Sequence, residues 1–189
     1  MARWIQPDPF LIGGIRAYRP GDAERSIHWA ATARTGTLQV KVHDFTSEPG
    51  LVVLLNGQLR EEQWGELSDL EQPIIEYGIS LAATLCLQAL QQGKEAGFGA
   101  NLPLDEADYC TFLPPQPGDP QALLRQLACL RIRCLRSFPT YLEELPDITG
   151  QDILILSCYD CEALQLQAER LRRMGNTVSF LSLEEVYHG

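Results

Sequence analysis

Two short runs of uninterrupted apolar residues constrain the fold of this chain more than any other feature. They are Leu51-Val52-Val53-Leu54-Leu55 and Ile153-Leu154-Ile155-Leu156. A strand with one face in water alternates apolar and polar residues, whereas a strand buried on both faces does not. Such strands belong to parallel sheets covered by helices. The intervening sequence supplies helices. Ile74 to Gln92 places Ile75, Ile79, Ala82, Ala83, Cys86, Leu87 and Leu90 on one wide apolar face. Asp119 or Pro120 opens a second helix, running to about Cys134, and Asp160 to Met174 forms a third, stopped by Gly175. Glu61 to Leu70 reads as a short helix, Ala96 to Asn101 as a glycine-interrupted strand, and Thr177 to Leu183 as a closing strand. Leu102 to Pro117 is partly loop because of its prolines, and a further loop carries Pro139 and Pro146. Strands alternating with helices, joined by right-handed crossovers, predict an α/β architecture with an open, doubly wound, mostly parallel sheet.

The rhythm differs before residue 49. Residues 1–10 read as an extended lead-in. Asp22 caps a helix, Ala23 to Arg34, after the Pro20-Gly21 turn, and Gly36 closes it. Leu38, Val40 and Val42 then alternate with polar residues in a half-buried strand from Thr37 to Phe45. The chain therefore divides into an N-terminal helix-strand appendage, 1–48, and an α/β domain, 49–189. Charge follows that division. Residues 1–48 hold six Lys/Arg and five Asp/Glu, a net +1, so the net −10 of the whole leaves −11 on the remainder. A body this acidic repels nucleic acid, and no pattern of aromatic and basic residues offsets it. No apolar run approaches the roughly 20 residues needed to span a bilayer, and no signal-peptide pattern is present. The six cysteines, several inside apolar periodic segments, read as reduced core thiols.

The most chemically varied stretch is Gly14 to Arg34. Twelve of its positions, Gly14, Arg16, Tyr18, Pro20, Gly21, Asp22, Arg25, Ile27, Trp29, Ala31, Ala33 and Arg34, fill the pattern G-x-R-x-Y-x-P-G-D-x-x-R-x-I-x-W-x-A-x-A-R. That pattern resembles the hallmark of the domain-of-unknown-function 58 family. The resemblance implies that the hallmark precedes a von Willebrand A-like α/β domain. It also implies a cytoplasmic portion of a membrane-anchored bacterial parent, working with a MoxR-type AAA ATPase as an adaptor. The hallmark residues Arg16, Tyr18, Arg19, Asp22, Arg25, His28, Trp29 and Arg34 have two readings. In one they scaffold the appendage, with Asp22 as cap and Trp29 as an apolar plug. In the other they form a cationic-aromatic docking face.

Von Willebrand A domains often hold Mg²⁺ through D-x-S-x-S after the first buried strand, where a carboxylate and two hydroxyls supply hard oxygen ligands. The matching positions here are Asn56, Gln58 and Arg60. Two neutral amides do not replace the carboxylate, and a guanidinium opposes a divalent cation. Asp160 is either a remaining carboxylate of such a set or the N-cap of the helix that follows. The sequence predicts a site that has lost its metal.

Cys158-Tyr159-Asp160-Cys161 lies between a strand and a helix, where C-x-x-C reads as a redox pair whose thiol pKa a helix N-terminus lowers. Asp160 between the thiols works against that shift. Cys129 and Cys134, spaced as neighbours on one helix, do not complete a zinc site with them. No G-x-S-x-G elbow is present, and Gly97-Phe98-Gly99 is too short for a nucleotide fingerprint. The sequence thus points to a non-enzymatic protein-interaction module without cofactor, with a thiol redox factor as the alternative.

Overall fold

The computed structural model describes residues 12–18, 27–43 and 49–188. The chain falls into two compact units, Met1–Glu48 and Pro49–Gly189.

In the first unit β1 (Ile12–Ala17) pairs antiparallel with β2 (Gln39–His43), and α1 (Trp29–Thr35) lies between them in sequence. β1 was not anticipated. The expected helix from Ala23 to Arg34 is not continuous: Ile27 and His28 are not helical and α1 starts at Trp29, while Ala23 to Ser26 lie outside the described residues. The cause is competition from the hairpin. Ile27 bridges Val40, and His28 N donates to Gln39 O at 2.7 Å, so both residues are held extended against β2. His28 then serves as N-cap, its Nδ1 accepting from Ala31 N at 3.1 Å. Gly36, at φ +69°, ends the helix by donating to Thr32 O, as expected of a C-terminal glycine. The expected cap Asp22, together with Arg19 and Arg25, lies outside the described residues.

The second unit is a five-stranded sheet. β3 (Leu51–Leu55) is central, flanked in parallel by β5 (Ala96–Ala100) and β8 (Asp152–Ser157), and β9 (Thr177–Ser182) extends it beyond β8. β6 (Thr111–Gln116) closes the other side antiparallel to β5. This is the mostly parallel α/β sheet that the two apolar runs predict. Successive residues of β3 face opposite layers. Val53 and Leu55 pack with Ile75, Ala82 and Cys86 of α2 (Gln72–Gln91) and with Leu183 of α6 (Leu183–His188). Val52 and Leu54 pack with Phe138 and Leu142 of α4 (Phe138–Glu144) and with Leu164, Ala168 and Leu171 of α5 (Glu162–Arg173). Truncating a fully buried residue such as Leu54 or Leu55 to Ala should cost about 2–5 kcal/mol. By length and composition α2 could cross a membrane, although no continuous apolar run of that length exists; here it packs on β3 and β5.

Several boundaries depart from expectation for identifiable reasons. The Glu61 to Leu70 region is turn plus β4 (Gly65–Glu66), not helix, because Gln58 Nε2 ties down Glu61 O and Gln63 O. The helix expected to reach Cys134 is α3 (Pro120–Ala128), capped by Asp119. It stops early because Arg133–Cys134 forms β7, paired with β4. Cys129 and Cys134 are therefore not neighbours on one helix. Pro139, read as a loop residue, sits in the first turn of α4 behind the cap Ser137, a position where its missing N–H costs nothing. Pro114 and Pro115 lie within edge strand β6, where a missing donor is tolerated. The glycines of Gly97-Phe98-Gly99 serve packing. A Cβ at Gly97 would meet the backbone of Leu113 and Pro115 within 3 Å, and one at Gly99 would strike the Tyr141 hydroxyl. α6 was not anticipated.

Candidate functional site

The carboxyl ends of parallel strands are where open α/β sheets place ligands. Here Asn56 follows β3, Asn101 follows β5, and Ser157 ends β8, so three adjacent strands finish on a polar side chain. Asn56, Gln58 and Asn101 are fully buried and Ser157 nearly so. Such burial requires partners for each polar atom, and the four side chains supply them to one another and to nearby backbone.

Asn56 Oδ1 accepts from Gln58 N at 3.0 Å, and its Nδ2 donates to Ser157 Oγ at 3.0 Å. Ser157 Oγ in turn donates to Tyr159 O at 2.6 Å. Asn101 Oδ1 accepts from Gly57 N at 2.7 Å, while its Nδ2 donates to Arg136 O at 3.0 Å. Gln58 is the hub. Its Nε2 donates to Glu61 O and Gln63 O, at 3.2 and 2.8 Å. Its Oε1 accepts from Phe138 N at 2.8 Å and Tyr159 Oη at 3.3 Å, with Asn101 Nδ2 at 3.4 Å. Gln63 Oε1 accepts from Leu59 N at 2.7 Å, and Cys134 Sγ contacts Gly57 O at 3.1 Å. The network joins β3, β5 and β8 to the N-terminus of α4. Among the described residues the single buried side-chain N or O without a partner is Gln151 Oε1, which precedes β8 at the other end of that strand.

This arrangement does not fit a Mg²⁺ ion. Asn56 Oδ1 and Gln58 Oε1 are already committed to N–H and O–H donors, and neither carries charge. Arg60 turns outward and pairs with Glu71 at 2.9 Å, its side chain 72% exposed. Asp160 does not join the set. Both its oxygens accept from Gln165 Nε2, at 2.9 and 2.8 Å, and Cys161 rather than Asp160 is the N-cap of α5. The expectation of Asp160 as cap is thereby corrected: the chain is still extended at Cys161, so the helix starts one residue too late for Asp160. Among the described residues no group of three or more His, Cys, Asp or Glu side chains could hold a metal.

Three thiols are shifted by burial. Burial pushes the Cys158 thiol up to about 12, and the Glu184 charge adds to the shift. A redox nucleophile needs the opposite shift. Cys86 and Cys134 are likewise pushed up to about 12 by burial. Glu71 is held below the usual carboxylate value, first by the Ser68 hydroxyl and backbone N–H and then by Arg60.

Farther along the segment between β3 and α2, two large apolar side chains are exposed. Trp64 is 59% exposed and Leu70 is 94% exposed. The hallmark residues are only partly placed. Arg16 lies on β1, Tyr18 is half-buried and follows it, and its N donates to Leu38 O at 2.8 Å. His28 caps α1, Trp29 begins it with 69% exposure, and Arg34 is exposed in its last turn. Sequence reasoning identified Asn56 and Gln58 but missed Asn101, Ser157, Gln63 and Tyr159. The available signal was the recurrence of a polar residue at the end of each buried strand.

Comparison with known proteins agrees with the hallmark. Neither the curated proteins nor the solved structures yield a significant match. A family model described as "Protein of unknown function DUF58" matches residues 14–173, beginning at the first glycine of the hallmark. The chain belongs to the DUF58 family.

Proposed function

We propose that this chain is a non-catalytic, metal-less protein-binding module of von Willebrand A-like type. The observation that carries the reading is the amide network that ties down Gln63, the residue before an exposed tryptophan, Trp64. The network fixes the base of the loop at residues 57–71, and the loop presents Trp64 and Leu70 to solvent. Tryptophan is over-represented among residues that anchor interfaces. A rigid base lowers the ordering cost of binding. The family resemblance supplies the partner, a MoxR-type AAA ATPase, and the setting, the cytoplasmic part of a membrane-anchored parent. The docking reading of the hallmark uses Trp29 and Arg34, which both stand in the short helix α1.

The test uses the chain and a purified MoxR-type ATPase from the same genome, with affinity read by biolayer interferometry. Trp64→Ala should weaken binding at least about tenfold, the scale of an interface anchor, with no change in melting temperature. Binding indifferent to both Trp64→Ala and Leu70→Ser would remove the loop from the interface. No binding at high micromolar concentration would remove the partner.

A further inference from the structure

A cleft of about 430 Å³ opens between α2 and the β4–β7 pair, a volume within the range of ligand pockets. Its walls are held by bonds within the fold. Glu66 pairs with Arg133 across β4 and β7, which places Glu66 on one wall. The segment 103–106 forms a second wall. There Leu104 bridges Leu130, Asp105 N donates to Cys129 O at 2.8 Å, and Arg131 N donates to Pro103 O at 3.0 Å. The first turns of α2 add Glu76 and Gln72, whose Nε2 donates to Leu67 O at 3.0 Å. Half-buried Leu130 and Ile132 complete the lining. Walls tied down in this way cost little ordering when something binds between them.

We propose that this cleft takes a basic, apolar-anchored peptide segment of a partner protein. Its lysine or arginine side chains enter between Glu66, Glu76 and Asp105, and its apolar ones meet Trp64 and Leu70. The inference rests on the protein-binding reading of the same loop and adds the chemistry of what is bound. Charge selects the occupant. The lining cations are already matched, Arg131 to Glu106 and Arg133 to Asp108, each at 3.6 Å. Glu66, Glu76 and Asp105 are exposed and make no side-chain hydrogen bond or ion pair among the described residues. Residues 57–71 carry Glu61, Glu62, Glu66, Asp69 and Glu71 against Arg60 alone. An acidic segment, or a second copy of this chain at net −10, therefore meets repulsion here. Apolar exposure converges on the same rim and favours a peptide over a small polycation. Trp64 and Leu70 each lie two residues from a lining residue, Glu66 and Gln72, so chain length alone keeps them within about 7 Å. Exposed Tyr109 follows Asp108, the partner of the lining Arg133.

The test is fluorescence anisotropy of a labelled lysine–leucine peptide with the full chain, a glutamate–leucine peptide and spermidine forming the other arms. The expected result is micromolar binding of the lysine–leucine peptide, no binding of its glutamate counterpart, and shifted amide resonances at Glu66, Glu76 and Asp105. Glu76→Gln and Asp105→Asn should each weaken that binding about threefold, and together about tenfold, the scale of exposed charge pairs. Trp64→Ala should weaken it about tenfold. Glu162→Gln, on α5 in the opposite helical layer, should leave it unchanged. Binding indifferent to the paired substitution, or weakened as much by Glu162→Gln, overturns the proposal in favour of diffuse attraction to an acidic surface. Full displacement by spermidine, with no effect of Trp64→Ala, overturns the peptide in favour of a small polycation. ATPase binding that needs Trp64 but ignores Glu76→Gln with Asp105→Asn overturns the cleft and leaves the loop reading standing. Peptide bound at the cleft without ATPase binding supports the cleft and removes only that partner.

Discussion

The carboxyl end of the sheet and the hallmark helix α1 treat their conspicuous side chains in opposite ways. At the sheet end Asn56, Gln58 and Asn101 are fully buried, and every amide atom has a partner. On α1 no residue is buried, and Trp29, the largest, is 69% exposed. The hallmark identifies the family, while the amide network, built from residues with no conspicuous motif, joins three strands and a helix. Buried polar groups carry structural weight because removing one partner strands the other away from water, at about 1–3 kcal/mol for each group left unpaired.

Mutations should expose the contrast. The largest effect is expected at Asn101→Ala, which strands Gly57 N–H and Arg136 C=O inside the network. A loss of about 3 kcal/mol in urea unfolding is predicted. A loss below about 1 kcal/mol would mean that water replaces the side chain and the network is not closed. Gly99→Ala comes next. Its methyl group would crowd Leu54 and Phe112 and strike the Tyr141 hydroxyl that donates to Thr111 O at 2.8 Å. About 1–3 kcal/mol is expected, with Tyr141→Phe partly compensating. In the first unit His28→Ala removes the α1 cap and should cost that helix about 1 kcal/mol, read as faster amide exchange at Ala31. Trp29→Ala should change stability by no more than about 0.5 kcal/mol. A severe effect there would support the plug reading of Trp29.

The smallest effect concerns pH. The Glu71 pKa is lowered in the folded chain, so its contribution to stability is present at neutral pH and disappears as pH falls through the carboxylate range. Glu71 is half-buried, but its partner Arg60 is exposed and screened by water, so the contribution is small. Denaturant midpoints of the chain and of Glu71→Gln should differ slightly at pH 7 and converge in acid. Divergence in acid would reverse the sign of the argument.

Much of this was legible in residues. The runs at 51–55 and 153–156 marked strands buried on both faces, and both lie within parallel strands of the sheet. The α2 pattern was legible because a 20-residue periodic segment outweighs local ambiguity. Failures came where tertiary bonds override propensity. The pattern from Ala23 to Arg34 looks helical throughout, but pairing with β2 holds Ile27 and His28 out of the helix. Pro139 reads as a breaker until Ser137 is seen to cap a helix at that point. At the site, Asn56, Gln58 and Arg60 could be recognised as poor metal ligands from their chemistry alone. That Asn101, 43 residues beyond Gln58, would meet it could not, since the contact depends on the order of strands in the sheet.

Gln58 is the keystone of a structural network and not a remnant ligand. Urea unfolding of the chain and of Gln58→Ala, each in chelator and in excess Mg²⁺, tests it most directly. The account predicts a loss of about 3 kcal/mol on substitution, the same in both buffers, and no stabilisation of the unmodified chain by Mg²⁺. Stabilisation by Mg²⁺ that Gln58→Ala abolishes, with little cost in chelator, would contradict it.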